Sequence, residues 1–304
     1  MLGKLYIVAT PIGNGEDMTE RAKRILSEVD IVAAEDTRTT QKLFNMLGIQ
    51  NKMVSNHKFN ERRQSDFLIS ELMQGKNVAI VSDAGTPCIS DPGHLIVKSA
   101  AEKGIDIVGV CGASAVITAL SVSGFSFVSF AFYGFFPREN KDIREAFQKV
   151  RDSDISVSVF FESPKRIEKM LRLLVEELPD SELCLCNDLT KLFEKIYRGT
   201  PQSVLDEVAS NPSSEKGEYT LVIYTKAKPR VIFSANTTES NESMIIDHIV
   251  KYGGSIKDAI RALQEKHKGS ISKKEFYAAA LSLKDIMSEL LPRDDGDEFS
   301  GGES

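Results

Sequence analysis

Residues 77–93, NVAIVSDAGTPCISDPG, constrain the fold more than any other stretch of the chain. Residues 77–82 are a short apolar run rich in β-branched side chains, the length of one buried parallel strand. The run breaks at Asp83-Ala84-Gly85-Thr86-Pro87, a cluster of turn formers. After Asp91-Pro92-Gly93 an amphipathic stretch, 94–103, begins, with apolar positions at Leu95, Ile96, Val97, Ala100 and Ala101. Strand, glycine loop and helix in this order make one unit of an open α/β sheet, where ligands sit beyond the carboxyl ends of strands. The loop is therefore the expected floor of a small-molecule site. Gly85 allows close backbone approach, and Asp83 offers an acceptor to a ribose or an amino group. The same residues also fit a plain turn in which Asp83 caps backbone amides.

The unit repeats through residues 1–115. Strand patterns at 5–9, 31–34, 53–55, 78–81 and 107–110 alternate with helical patterns at 19–27, 39–47, 61–74 and 94–103. Such alternation predicts a mainly parallel sheet covered on both faces. Its loops at 10–17, 35–38, 56–60, 83–91 and 111–115 hold most of the conspicuous polar residues, as a site at the strand ends requires. Gly13-x-Gly15 in the first loop invites a dinucleotide reading, but Met18 stands where a third glycine belongs. No Gly-Lys-Ser/Thr follows, so the phosphate-loop pattern fails as well.

Residues 116–226 have a different texture. Strands are expected at 126–132, 156–161, 182–186, 195–198 and 219–224, and helices at 143–150, 165–177 and 201–209. The adjacent strands on either side of 190–194 imply a mixed sheet, hence a second α/β domain. A cleft between two domains is a common ligand location. Residues 227–241, with Pro229 and Asn236-Thr237-Thr238, are read as a linker. Residues 242–291 are read as a small bundle of three helices. Ser255-x-x-Asp258 and Ser272-x-x-Glu275 open two of them, with Gly253-Gly254 and Gly269 as punctuation. Lys251, Lys257, Arg261, Lys266, Lys268, Lys273 and Lys274 make the bundle basic. Interleaved Asp258, Glu265 and Glu275 equally suit a solvated face. Residues 292–304, acidic and Gly/Ser-rich, read as a disordered tail.

Composition excludes several classes. With 304 residues, 41% hydrophobic and 27% charged, the chain has the balance of a soluble globular protein of more than one domain. A formal net charge of −6 leaves no global basic field, so any nucleic-acid contact is local. The four cysteines (Cys88, Cys111, Cys184, Cys186) form no C-x-x-C pair. Cys184 and Cys186 share one strand face as buried thiols of a reducing compartment, and with only four histidines no metal site is expected. The apolar run at 5–9 is too short for a secretory signal, and 120–136 is too broken by Ser and Gly to span a bilayer. It reads as buried strand and loop, and the expected location is the cytoplasm.

The loops carry a pattern. TPIGN at 10–14, AAEDTR at 33–38, SDAGTPCISDPG at 82–93, FFESPKR at 160–166 and LTKLFE at 189–194 together resemble the ribosomal RNA small-subunit methyltransferase I family, of the tetrapyrrole-methylase fold. The resemblance spans residues 4–226 in order. It implies two α/β domains with S-adenosylmethionine in the cleft between them, methylation of a cytidine 2′-hydroxyl in small-subunit rRNA, and a homodimer. By the same resemblance Asp83, Ala84, Gly85 and Thr86 line the cofactor, with Gly112, Ser114 and Ala115 from the next loop and Phe161 from the second domain. Asn14, Glu35, Asp36, Arg38, Glu162, Arg166 and Lys191 face the RNA, and His57 is read as a loop or substrate-contact residue rather than a metal ligand. The chain departs from the family pattern at Gly15, Cys111, Ala113, Asn187-Asp188 and Lys58-Phe59.

Methyl transfer from a sulfonium needs no metal and no covalent nucleophile. It needs in-line positioning, which supplies up to roughly 7–11 kcal/mol, and a base for the hydroxyl proton, which adds about 10²–10⁴-fold. Asp36 is the first candidate for that base and Glu162 the second, while Asp36 held by Arg38 as a structural pair is the competing reading. Arg38 and Arg166 suit phosphate contacts or, alternatively, salt bridges to Glu35 or Glu162. Phe59 and Phe161 suit a splayed base, whereas Phe132 suits the core. The rival functions are methylation of a tetrapyrrole or other small molecule, and an inactive ribosome-binding module.

Overall fold

A computed structural model describes residues 1–226, 240–266 and 272–290, the last helix with side chains to Lys284. The chain divides into two compact units, Met1–Arg230 and Val231–Ser304. The expected linker at 227–241, apart from its last two residues, and the expected tail at 292–304 lie outside the described residues, as do Lys268 and Gly269.

In the first unit β1 (Leu5–Val8), β2 (Ile31–Ala34), β3 (Met53–Ser55), β4 (Val78–Val81) and β5 (Ile107–Val110) form a parallel sheet in the order β3-β2-β4-β1-β5. The connections carry α1 (Glu20–Glu28), α2 (Thr37–Leu47), α3 (Glu61–Met73) and α4 (His94–Glu102). The two faces follow the pleat. Val8, Val32, Ala34, Ala79 and Val81 pack against Ala22, Ile25 and Leu26 of α1 and Phe44 of α2. Leu5, Ile31, Ala33, Val78 and Ile80 pack against Leu68 and Leu72 of α3 and Ile96 and Ala100 of α4. Burying each of the Val, Leu, Ile and Phe side chains among them contributes about 1.5–3 kcal/mol. The central strands β2 and β4 are covered on both faces, so they are apolar throughout rather than alternating. All five sequence-read strands fall within one residue of their observed bounds.

The second sheet has the order β6-β7-β10-β8-β9. After α5 (Ala115–Ser123) come β6 (Phe130–Phe135), α6 (Asn140–Asp152), β7 (Val157–Glu162) and α7 (Pro164–Glu177). They are followed by β8 (Glu182–Asn187), β9 (Lys195–Gly199), α8 (Pro201–Ser210) and β10 (Tyr219–Tyr224). Only β6 and β7 are parallel, and the other pairs are antiparallel, a mixed sheet as the sequence suggested. One face (Phe160, Leu183, Leu185, Leu221, Ile223) packs on α6, α7 and α8. The other (Val157, Val159, Cys184, Cys186, Val222) meets Val116, Ala119 and Leu120 of α5. Cys184 and Cys186 are buried on that one face, with sulfurs 3.9 Å apart.

One segment corrects the sequence reading. Residues 120–136 do not form strand and loop alone: α5 occupies 115–123, and the following strand starts four residues later than expected, at Phe130. AVITALSVS is mostly apolar and partly β-branched, and its three small polar residues, Thr118, Ser121 and Ser123, do not make the amphipathic period that marks a surface helix. Its ends are nevertheless legible. The Ser114 hydroxyl accepts from Ile117 N–H at 3.5 Å, and Gly124 ends the helix in the left-handed region at φ +80°.

The second unit contains α9 (Asn241–Tyr252), α10 (Ile256–Lys266) and α11 (Lys273–Leu290) around Ile245, Ile260, Leu263, Phe276 and Leu283. Both capping boxes form. Ser255 N–H donates to Asp258 Oδ2 at 3.0 Å, Ser272 N–H donates to Glu275 Oε2 at 2.6 Å, and each serine hydroxyl accepts in return at 3.3 Å. Among the described residues no helix is long and apolar enough to cross a membrane.

Candidate functional site

The loops at the carboxyl ends of the first sheet are tied to one another. Thr10 N–H donates to Gly85 O at 2.9 Å and Gly85 N–H to Thr10 O at 3.0 Å, an isolated bridge joining the loops after β1 and β4. Gly85 sits at φ +79°, and a Cβ there would lie 3.3 Å from Ile12, so the position favours glycine twice over. The Thr10 hydroxyl donates to Ser82 O at 3.1 Å, and the Thr86 hydroxyl donates to Ala113 O at 3.2 Å. Gly112 lies over Ala9, where a Cβ would come within 2.9 Å of the alanine methyl. Asp83, Ala84, Gly85 and Thr86 are thereby set beside Gly112, Ser114 and Ala115. Phe161 reaches the same place from β7. It packs in one cluster with Ile12, Ala113 and Ala115, and its ring meets Phe132 at 4.9 Å and Phe135 at 5.5 Å.

Carboxylates gather at these loops. Glu35, Asp83 and Asp91 all have their pKa values raised, chiefly by burial. Asp91 and Asp83 push Glu35 up further, and Asp83 pushes up Asp91. A sulfonium or an amino group brought among them relieves this repulsion, so the donor set fits S-adenosylmethionine, which carries both. Asp36 differs. Its Oδ1 accepts from Arg38 N–H at 2.8 Å and from Nε at 3.0 Å, and its Oδ2 accepts from Nη2 at 2.7 Å. These bonds hold its pKa down at about 2. Asp36 is thus both the cap of α2 and the partner of Arg38, the structural pairing that the sequence left open. Its own N–H donates to Asp83 Oδ1 at 3.0 Å.

The second sheet contributes Glu162, Arg166 and the 188–194 loop. The Glu162 side chain is fully buried. Its Oε1 accepts from Ser163 N–H at 2.7 Å, while Oε2 lies 3.3 Å from Arg166 Nη2 in an ion pair. Burial raises the Glu162 pKa. Arg166 also donates to the carbonyls of Phe136 and Pro137, so it ties α7 to the end of β6. Lys191 Nζ lies 2.7 Å from Asp188 Oδ1 and 2.9 Å from Glu218 Oε2. Gly13 faces this loop so closely that a Cβ would overlap Lys191 Cγ. Asn14 N–H donates to the Thr190 hydroxyl at 3.1 Å, and the Asn14 side chain caps the short turn Gly15–Asp17. Gly13 is therefore explained by close approach to the 188–194 loop rather than by a phosphate.

The structure brings together Asn14, Lys191 and the cofactor-loop residues, and it sets Glu35 and Asp36 with Arg38 beside Asp83. His57 lies in the loop after β3, its N–H donating to Asn60 Oδ1 at 2.8 Å, next to Asn56, whose N–H donates to Ala34 O at 2.7 Å. Sequence reasoning passed over Thr10, Asp91 and Glu61. Glu61 Oε1 accepts from Gly93 N–H at 2.8 Å and anchors the DPG turn from α3. A buried acid at the start of α3 carries no sequence signal, whereas Asp91 stood in a quoted motif. Among the described residues no group of three or more His, Cys, Asp or Glu is arranged to hold a metal ion.

Comparison with known proteins identifies the family. The profile of the tetrapyrrole (corrin/porphyrin) methylases matches residues 4–205. Ribosomal RNA small subunit methyltransferase I of Halalkalibacterium halodurans is 37% identical over 278 residues, 90% of this chain and 93% of that one. The chain belongs to the ribosomal RNA small subunit methyltransferase I family. The relative from Neisseria meningitidis serogroup A is 42% identical over 222 residues, 73% of this chain and 76% of its own. The fold of this methyltransferase family member is shared by uroporphyrin-III C-methyltransferase of Thermus thermophilus, solved with S-adenosylhomocysteine. That structure is 15% identical, covering 73% of this chain and 97% of its own, with a TM-score of 0.51.

Proposed function

We propose that the protein transfers a methyl group from S-adenosylmethionine to a cytidine 2′-hydroxyl of small-subunit ribosomal RNA. The observation that carries this reading is the joining of the TPIGN, AAEDTR, DAGTP and LTKLFE loops through Thr10–Gly85, Asp36–Asp83 and Asn14–Thr190. S-adenosylmethionine supplies an electrophilic methyl on a sulfonium that departs as a neutral thioether. The chain's residues then have to bind, orient and accept one proton. Asp83, Ala84, Gly85, Thr86, Gly112, Ser114, Ala115 and Phe161 would hold the cofactor.

Asp36, engaged at both oxygens and with a pKa near 2, is a weak base, and its work in this reading is to hold Arg38 toward the RNA backbone. Glu35, whose pKa burial raises, is the better matched acceptor for the ribose proton. Glu162 with Arg166, and Lys191 with Asp188, would shape the substrate side from the second sheet. The exposed Phe135 on edge strand β6, together with Val128, suits a second copy of the chain, and we include a homodimer in the proposal. A cytoplasmic location follows from the rRNA substrate.

The reading is tested by offering labelled S-adenosylmethionine with either unmodified small ribosomal subunits or a reduced tetrapyrrole. Label in the RNA alone supports it. Label in the tetrapyrrole moves the assignment to the small-molecule rival, and label in neither, with cofactor bound, to an inactive module.

A further inference from the structure

We propose that Leu192 and Phe193 form an apolar wedge that enters the base stack of the RNA beside the target nucleotide, with the faces of the flanking bases as its ligand. The proposal rests on the RNA-methylation reading above and deepens it.

The two side chains are adjacent, large and apolar, yet 89% and 76% exposed. The loop that carries them is pinned from both sides. Asp188 N–H donates to Glu218 O at 2.9 Å, Lys191 N–H to Asp188 O at 3.0 Å and Glu194 N–H to Lys191 O at 3.1 Å. Thr190 N–H donates to Glu194 Oε2 at 2.5 Å. Asp188 and Thr190 stand in the left-handed region, at φ +52° and +66°, where a β-branched threonine is an outlier. Strain of this kind persists only where surrounding contacts impose it, and it concentrates at functional sites. The loop thus holds two large apolar side chains in solvent on a backbone fixed by its own hydrogen bonds.

Placement and charge identify the ligand. The loop lies against Gly13 and Asn14 through Leu189, Thr190 and Lys191, and these two residues follow β1 at the carboxyl edge of the first sheet, so the loop borders the proposed substrate side. Lys191, the only cation between Asp188 and Glu194, is neutralised by Asp188 and Glu218. A phosphate therefore gains little from this loop, and what it presents is a ring and a branched alkyl group. Apolar side chains of this kind part base steps, and aromatic faces stack on any base without reading its sequence. A 2′-hydroxyl is displayed in the shallow minor groove of an RNA helix while its sugar stays held by the stack, and parting the flanking bases would let that sugar move toward the methyl donor.

The test compares wild type, Phe193→Ala, Leu192→Ala and Phe193→Trp in methyl transfer to unmodified small subunits, with cofactor affinity, melting temperature and mass in solution measured alongside. Stacking of one base predicts a fall in kcat/KM of roughly 5- to 100-fold for Phe193→Ala. The expected result includes recovery in Phe193→Trp, with cofactor affinity, melting temperature and mass unchanged. A 2-aminopurine placed beside the target should brighten with wild type and stay dark with Phe193→Ala. Wild-type rates in Phe193→Ala overturn the wedge while leaving RNA methylation standing. Loss of activity together with a fall in oligomeric mass overturns it in favour of a contact with a second copy. Failure of the wild type to methylate RNA overturns the underlying reading, and the wedge with it.

Discussion

The backbone N–H of Asp36 donates to Asp83 Oδ1 at 3.0 Å, tying the loop after β2 to the loop after β4. One carboxylate thus serves two ends. It fixes the start of α2, and it adds negative charge where the cofactor's cationic groups are proposed to sit. Asp83→Asn keeps an acceptor for the Asp36 amide and removes the charge, whereas Asp83→Ala removes both. S-adenosylmethionine affinity measured by calorimetry is expected to fall about tenfold or more in Asp83→Asn, about 1.4 kcal/mol or more. Asp83→Ala should additionally lower the melting temperature. Wild-type affinity in both variants contradicts the assignment.

Asp36 and Glu162 predict opposite pH dependences. The folded pKa of Asp36 is lowered from 3.8 to about 2 by its bonds to Arg38. Its contribution to stability is complete above about 4 and is lost as pH falls toward 2. Asp36→Asn keeps a good helix cap, so the stability difference from wild type should shrink across that acid window. Glu162 has its pKa raised above 4.5 by burial. The folded state binds its proton more tightly than the unfolded chain does, so this residue's contribution falls as pH rises from about 4.5. Denaturant midpoints for wild type and Glu162→Gln, followed from pH 4 to 8, should diverge in the direction of a relatively more stable variant at higher pH. Parallel curves would contradict the burial argument.

Gly13→Ala should disturb the second sheet's loop from the first sheet's side. A Cβ there overlaps Lys191 Cγ and comes within 3.1 Å of Leu189 O. Overpacking of this kind costs about 1–3 kcal/mol. Methyl transfer should fall more than thermal stability does, because the displaced loop is the one placed on the substrate side. A variant as active as wild type would show that the loop's position is irrelevant to turnover.

Removing residues 242–304 tests the basic helices. Cofactor affinity should be retained while affinity for small-subunit RNA drops, most strongly at low salt, where lysine contacts to phosphate count most. Loss of cofactor binding as well would assign the segment a structural part.

Much of the fold was legible because its signals were local. The β-branched runs at 31–34 and 78–81 sit between turn formers and became strands with the bounds read from them. The capping boxes at Ser255 and Ser272 announced α10 and α11. Helix α5 was missed because its mostly apolar sequence, packed onto the second sheet, has no charged face to set a period. Its cap at Ser114 and stop at Gly124 were the signals available. At the site, motifs supplied Asp83, Gly85 and Lys191, but the competition for Asp36 between chemistry and Arg38 is decided by geometry, and spacing alone does not contain it. Glu61 acts through Gly93, 32 positions away, and Thr190 takes the Asn14 N–H from 176 positions away, so neither contact could be read from the residue's own surroundings in the chain.

The most direct test of the central account is to treat unmodified small ribosomal subunits with this protein and S-adenosylmethionine and then hydrolyse the RNA in alkali. A 2′-O-methyl group removes the nucleophile that alkali needs, so the account predicts one new alkali-resistant linkage, 3′ of a cytidine, lost in Glu35→Gln. Label recovered on a base, or no label on RNA from an enzyme that binds the cofactor, would contradict it.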